Sequence, residues 1–409
     1  MPGVAGGVVY MDICLASLHP KVLSGQIDSL AGLGRALTRR GHTVNLVAPF
    51  DTDGLLDRTL ISLDAGTHSL TGAAMKMLRT IPRIIVAANQ AEIVHLALPT
   101  PAFSWVGDVV RSRTATPMIV SYEGHLAPGG QLLRPSRLRR SWRTYLPLWA
   151  VNNGVFGRMT SYTAARYVVS SEYQRQELAA LGAPAERLEV VSNVVEQDKL
   201  ARCEPEAARH QLRLPQGKKL IGYIGHFNDV KGVDILAAAF AQLVRRQPDA
   251  HLVLAWSGQG NPVPVRAPLA GLDDHVTWLG KVHVGTFLCA LDVLALPYRC
   301  TAGQGAYPSL VIEALHAGCP LVTSRLPLLE ELLGPTETAL LSPPEQPAAL
   351  AAHLEALLVD EDRNRRMQVT QQLVARSRFA SDVLALDYEL LYGTVLTPEI
   401  AAIGATAAA

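Results

Sequence analysis

The chain has 409 residues, too many for one ordinary hydrophobic core, so two domains are the default expectation. Apolar residues make up 49% and charged residues 18%, the balance of a soluble globular protein with a large interior. Lys plus Arg total 37 against 36 for Asp plus Glu, which lacks the basic surplus that nucleic acid as the main partner demands.

The opening MPGVAGGVVYMDICLAS is apolar without a positive flank and runs straight into a strand pattern, so it is not read as a signal peptide. Met11 is a candidate original start, with 1–10 a loose extension. DICLAS (12–17) is a short apolar strand. Residues 26–40 place apolar side chains at helical spacing and are closed by Gly41, a C-cap residue. TVNLVAP (43–49), IVHLAL (93–98), MIVSY (118–122), YVVSS (167–171) and LEVVSN (188–193) are further brief strands. A polar stretch with two prolines, 196–217, then interrupts the series.

The alternation restarts with KLIGYIGH (219–226), the helix VDILAAAFAQLVRR (233–246) and AHLVLAWSG (250–258). It continues with VTWLG (276–280), TFLCAL (286–291), DVLALPY (292–298), a short helix over 310–317 and PLVTS (320–324). Strands alternating with helices predict parallel sheets covered on both faces, hence an α/β chain of two doubly wound domains. The expected bounds are 1–200 for the first domain, 201–216 for a linker and 217–380 for the second. A helix in 381–409 returns toward the first domain, and AAIGATAAA is a mobile tail. No run of 18 or more apolar residues predicts a spanning helix. Five cysteines without CxxC spacing read as reduced core thiols and place the chain in the cytosol.

In such folds ligands bind beyond the carboxyl ends of the strands, and with two domains the cleft between them is the natural site. GAYPSLVIEALHAGCP (305–320) puts Ser309 at the cap position of a helix that Gly318 ends. Such a helix N-terminus offers free N–H groups to phosphate. Glu313 lies about one turn in, either a functional acceptor or an acid complementing the helix dipole. In YIGHFNDVKGVDIL (223–236) a strand ends at Gly225, and Lys231-Gly232 precede a helix; Lys231 either neutralises phosphate or is a solvated surface lysine. Gly25 in HPKVLSGQIDS either lets a backbone approach a ligand or is an ordinary turn glycine. WSGQGNP (256–262) is another glycine-rich turn.

These pieces, in this order and spacing, resemble the retaining GT-B nucleotide-sugar glycosyltransferases of glycosyltransferase family four, over roughly residues 11 to 395. The most specific segments are IGYIGHFNDVKGVDILAAAF, HVTWLGKV, LDVLALPY and YPSLVIEALHAGCPLVTS; residues 19–49 and 167–196 also match. The resemblance implies a GT-B fold and retaining transfer from a nucleotide-diphosphate sugar to a glycan, lipid-linked or small-molecule acceptor, with no cofactor and no metal. It implies that Glu313 accepts from the ribose hydroxyls, which favours UDP or GDP donors over thymidine ones. It pairs Lys231 with the diphosphate, and brings Gly25 over it from the other domain. The implied donor-binding set is Gly25, Gly225, His226, Lys231, Gly232, Gln304, Gly305, Tyr307, Ser309, Leu310 and Glu313.

Three departures qualify the resemblance. His226 stands where the family has an arginine and supplies no fixed charge when neutral. Gly305 stands where the family has its first glutamate, so Gln304 or the loop backbone is left to hold the sugar. In TPMIVSYEGH the family's sugar-side histidine corresponds to Glu123 by simple alignment, with His125 two residues on; with Lys231 and Glu313 these two complete the candidate catalytic set. The segment 136–149, SRLRRSWRTYLPLW, carries an aromatic stripe flanked by arginines. It either packs on the first domain or makes a peripheral membrane contact. The rival functions are a GT-B epimerase or phosphorylase, and a non-catalytic subunit.

Overall fold

The computed structural model describes residues 10–19, 25–49, 70–122, 142, 162–195, 200, 204–301 and 307–397. The first half contains β1 (Asp12–Ser17), α1 (Gly25–Arg39), β2 (Thr43–Val47), α2 (Leu70–Ala88), β3 (Ile93–Leu98) and α3 (Ser104–Arg111). It continues with β4 (Met118–Tyr122), β5 (Arg166–Val169), α4 (Glu172–Ala180) and β6 (Leu188–Val190). Next come α5 (Pro205–Gln211), β7 (Lys219–Phe227), α6 (Val233–Leu243), β8 (Ala250–Gly260), α7 (Val263–Arg266) and β9 (Val276–Leu279). The chain then forms α8 (Val284–Ala290), β10 (Val293–Leu296), α9 (Ser309–Ala317), β11 (Leu321–Ser324) and α10 (Pro327–Leu333). It ends with β12 (Leu340–Ser342), α11 (Pro347–Val359), α12 (Glu361–Arg378) and α13 (Ser381–Leu396).

Two six-stranded sheets result, ordered β2-β1-β3-β4-β5-β6 and β12-β11-β10-β7-β8-β9, with every paired neighbour parallel. β3 and β4 are buried along their whole length, as expected of strands covered on both faces. Counted from its own first strand, the second sheet has the dinucleotide-binding order 3-2-1-4-5-6, which reverses direction between β7 and β10. In the first sheet the reversal falls between β1 and β3. Ligand crevices open at such reversals, so the loops after β7 and β10 are where a site should be sought.

One hydrophobic cluster fills the second domain, and two smaller ones lie on the two faces of the first sheet. One of these includes Leu384, Ala385, Tyr388, Leu391 and Tyr392, so the last helix completes the first domain's core. Polar bonds register it there. The Tyr392 hydroxyl meets His95 Nδ1 at 2.7 Å, and Glu389 accepts from Arg40 Nη2 at 2.7 Å and meets His42 Nε2 at 2.8 Å. Burial pulls His95 down to about 4, so its ring is neutral at pH 7.

The polar stretch expected as a linker carries α5. Its Arg209 donates to the Ala290 carbonyl and to Asp292, both at 2.9 Å, which ties the helix to the second domain. Pro205 starts this helix and Ala208 is its buried residue; one buried position gives too little periodicity to stand out in the sequence. The expectation of five reduced thiols is corrected at Cys289, which is disulfide-bonded, while Cys14 and Cys319 are free thiols and these two and Cys300 are buried.

Candidate active site

At the reversal of the second sheet two loops touch, backbone to backbone. Gly225 near the end of β7 has φ +144°, and the strand bulges between Gly225 and Phe227. A turn over Asp229–Lys231 follows, and Gly232 at φ +67° is the cap residue before α6. A Cβ on Gly232 would stand 2.0 Å from the Pro297 carbonyl oxygen, so only glycine lets this loop lie against the end of β10. The Lys231 ammonium consequently lies 4.9 Å from the centroid of the Tyr298 ring, and desolvation lowers it to about 8. Burial first, then the nearby Glu313 carboxylate, push the Tyr298 phenol up. Lys231 from the β7 loop therefore lies against the same tyrosine that feels the charge of Glu313 from α9.

The residue that fixes this arrangement carried no motif in the sequence. Arg299, 3% exposed, donates its backbone N–H to Val230 O at 2.9 Å and Nη1 to Asp229 O at 2.5 Å. Its Nη2 meets Asp234 at 2.5 Å and its Nε meets Glu345 at 3.2 Å. The guanidinium fork thus grips the turn that presents Lys231, the first turn of α6 and the segment after β12. A strand-end arginine followed by nothing periodic offers no signal to a sequence reader. Only the fold places three carboxylates around it.

α9 follows β10, so its N-terminus belongs to the carboxyl edge of the same sheet. Pro308, not Ser309, occupies its cap position and supplies no side-chain acceptor; Ser309 is the first helical residue. Proline's fixed φ suits that turn, which displaces the cap by one residue from the expectation. Glu313 lies beyond the first turn, where no acid stands, so the dipole-complementing role does not describe it. Ser309, Leu310 and Glu313 are partly exposed, while Tyr307 is buried. The Tyr307 hydroxyl donates to Glu331 at 2.9 Å, and its carbonyl accepts from Asn193 at 3.1 Å. His226 meets Ser257 Oγ through Nδ1 at 2.5 Å.

On the first domain, Gly25 is the first residue of α1. Glu123, His125, Gln304 and Gly305 lie outside the described residues, as does the stripe 136–149 apart from Trp142, which is helical and exposed. Among the described residues no group of three or more His, Cys, Asp or Glu could hold a metal ion. None of the described helices is long and apolar enough to cross a membrane.

Residues 24–194 match the family model described as a glycosyl transferase 4-like domain, and residues 218–360 match that of the glycosyl transferases group 1. The chain belongs to the glycosyl transferases group 1. This group 1 chain is 28% identical over 252 residues to the phosphatidyl-myo-inositol mannosyltransferase of Mycobacterium leprae. That match covers 61% of the chain and 64% of the relative, just under two thirds of its length. Among solved structures it resembles the sucrose-phosphate synthase of Thermosynechococcus elongatus, with a TM-score of 0.71 and 22% identity over 93% of this chain and 98% of that one. It also resembles Anabaena HepE in complex with UDP and glucose, with a TM-score of 0.67 and 15% identity over 94% and 100%. At such identities the two structures speak for the GT-B fold, the two facing Rossmann-like domains expected of this group 1 chain.

Proposed function

We propose that the chain is a retaining glycosyltransferase that moves a sugar from a nucleotide-diphosphate sugar to an acceptor read by the first domain. The observation that carries this is Lys231 against Tyr298, a ring that also feels the charge of Glu313, at the reversal of the second sheet, where α9 has an N-terminus without a side-chain cap. As the glycosidic bond breaks, charge grows on the departing diphosphate. The Lys231 ammonium and the N–H groups of Ser309 and Leu310 stabilise it, and Glu313 accepts from the ribose hydroxyls. Lys231 and the helix end supply the positive charge that other sites draw from a cation, so the transfer is expected to survive chelation. Gly25, the first residue of α1, is the residue proposed to approach the diphosphate from the other domain.

For the donor, the HepE complex supports uridine nucleotides and the mannosyltransferase relative supports a mannosyl donor. For the acceptor, that relative's name supports a lipid-linked polyol, with 136–149 as the membrane contact. The test is calorimetry with UDP and GDP, followed by transfer from UDP-glucose and GDP-mannose to phosphatidylinositol vesicles, with EDTA present and absent. Nucleotide binding that vanishes in Lys231→Ala supports the reading; binding indifferent to Lys231 and Glu313 rejects it. Binding without turnover on a broad panel of donors and acceptors would favour a non-catalytic subunit. Gly305→Glu separates the two further: a remade sugar pocket loses turnover on regaining the acid, whereas a damaged one gains it.

A further inference from the structure

One carboxylate joins the two domains at the donor side of the site. Glu331, on α10 of the second domain, accepts from the backbone N–H of Glu172 and of Tyr173, each at 2.8 Å. These are the first two amides of α4, which belongs to the first domain, so Glu331 caps a helix of the opposite domain. The same carboxylate accepts from the Tyr307 hydroxyl at 2.9 Å. Tyr307 immediately precedes Pro308, the cap residue of α9, the helix that carries Glu313.

The surroundings of α4 make this joint stiff. Ser171 caps the helix by accepting from Gln174 N at 3.0 Å, so the Glu331 contact adds to a local cap already present. The Tyr173 ring packs against the second domain's core, and its hydroxyl shares a hydrogen bond with Thr301, just past β10. Asn193, at the end of the first domain, donates to the Tyr307 carbonyl. The start of α4 and the approach to α9 are thus held to each other through Glu331, with little slack between them.

We infer that Glu331 is a positioning residue that transmits nucleotide binding at α9 to the first domain through Tyr307 and the N-terminus of α4. A diphosphate settling on the amides of Ser309 and Leu310 fixes the turn that holds Tyr307. Tyr307 then fixes the carboxylate, and the carboxylate fixes α4. Seating of the acceptor-side domain thereby becomes conditional on an occupied donor site. This inference rests on the nucleotide site of the preceding section.

Hydrogen exchange on the full chain, with UDP and GDP as probes, tests it. In the unaltered protein the better-binding nucleotide should slow exchange in peptides covering 307–313 and also in those covering 171–176. In Tyr307→Phe the protection of 307–313 should remain while that of 171–176 is lost, although the α4 cap itself is untouched. A cap with only a structural role would not respond to that change. In Glu331→Ala the amides of 172 and 173 should exchange roughly tenfold faster without ligand, the equivalent of one lost hydrogen bond, and Glu331→Gln should recover part of this. Protection of 171–176 that persists in Tyr307→Phe and Glu331→Ala overturns the inference, as does its absence from the unaltered protein when 307–313 is protected. If Glu331→Ala fails to fold, Tyr307→Phe decides. Lys231→Ala is the control: if it leaves the protection of 307–313 intact, or if neither nucleotide protects that segment at all, the nucleotide site itself falls.

Discussion

The carboxyl ends of the two sheets are built on one plan with opposite materials. Around β3, β4 and β5 the first sheet is knitted by neutral groups: Ser104 Oγ meets the Tyr122 hydroxyl at 2.7 Å, and Gln174 donates to the Tyr122 carbonyl at 2.9 Å. At β7 and β10 the second sheet uses ions, with buried Arg299 among Asp229, Asp234 and Glu345, and Lys231 beside them on the same turn. Neutral pairs suffice to pack a loop. A buried charge network costs desolvation that only good geometry returns, so its presence marks a loop that must hold one shape.

Removing the ions should separate the two ends most sharply. Arg299→Ala leaves three carboxylates around an empty place and is expected to lower the unfolding free energy by about 3–5 kcal/mol in urea titration. A loss under about 1 kcal/mol would mean that the network is solvated and the contrast false. Nucleotide affinity should show the next effect. Lys231 binds diphosphate only when protonated, and its ammonium is lowered to about 8. Affinity for UDP should therefore hold below pH 8 and fall by up to about tenfold per unit above it, while Lys231→Arg keeps its charge and flattens that limb. Stability runs the other way. Between about 8 and the usual lysine value the unfolded chain binds the extra proton, so this group's contribution to stability rises with pH across that window.

Glu313 should govern the choice of sugar in the nucleoside. A deoxyribose leaves it short of one donor, at about 1–3 kcal/mol, so uridine should bind roughly tenfold tighter than the deoxyuridine counterpart in calorimetry. Glu313→Ala should erase the difference. Ser104→Ala, in the neutral end, should cost only about 1 kcal/mol and leave UDP affinity unchanged, measured by thermal melts with and without nucleotide.

The same contrast explains what could be read in advance. β1, β3 and β4 fall on DICLAS, IVHLAL and MIVSY, because buried parallel strands are short unbroken apolar runs. The turns that carry Lys231 and Glu313 were legible because glycine and proline punctuate them, while the roles of the two residues came only from the family resemblance. β12, only Leu340–Ser342, is too short to show any period and was missed. Arg299 and Glu331 were invisible for a different reason. Each takes its meaning from partners 24 to 159 positions away, and spacing along the chain cannot encode a contact of that kind.

The clasp of α13 on the first sheet has a consequence for how the molecule is made. Met11, Ile13 and Leu15 share a core cluster with Tyr388 and Tyr392, so the domain synthesised first lacks part of its interior until α13 has been translated. While the second domain emerges and folds as a self-contained unit, that uncovered apolar face stays open to the solvent and to chaperones. A chain truncated within α13 would have one finished half and one adhesive half. Removing α13 should thus damage the half encoded far upstream of it.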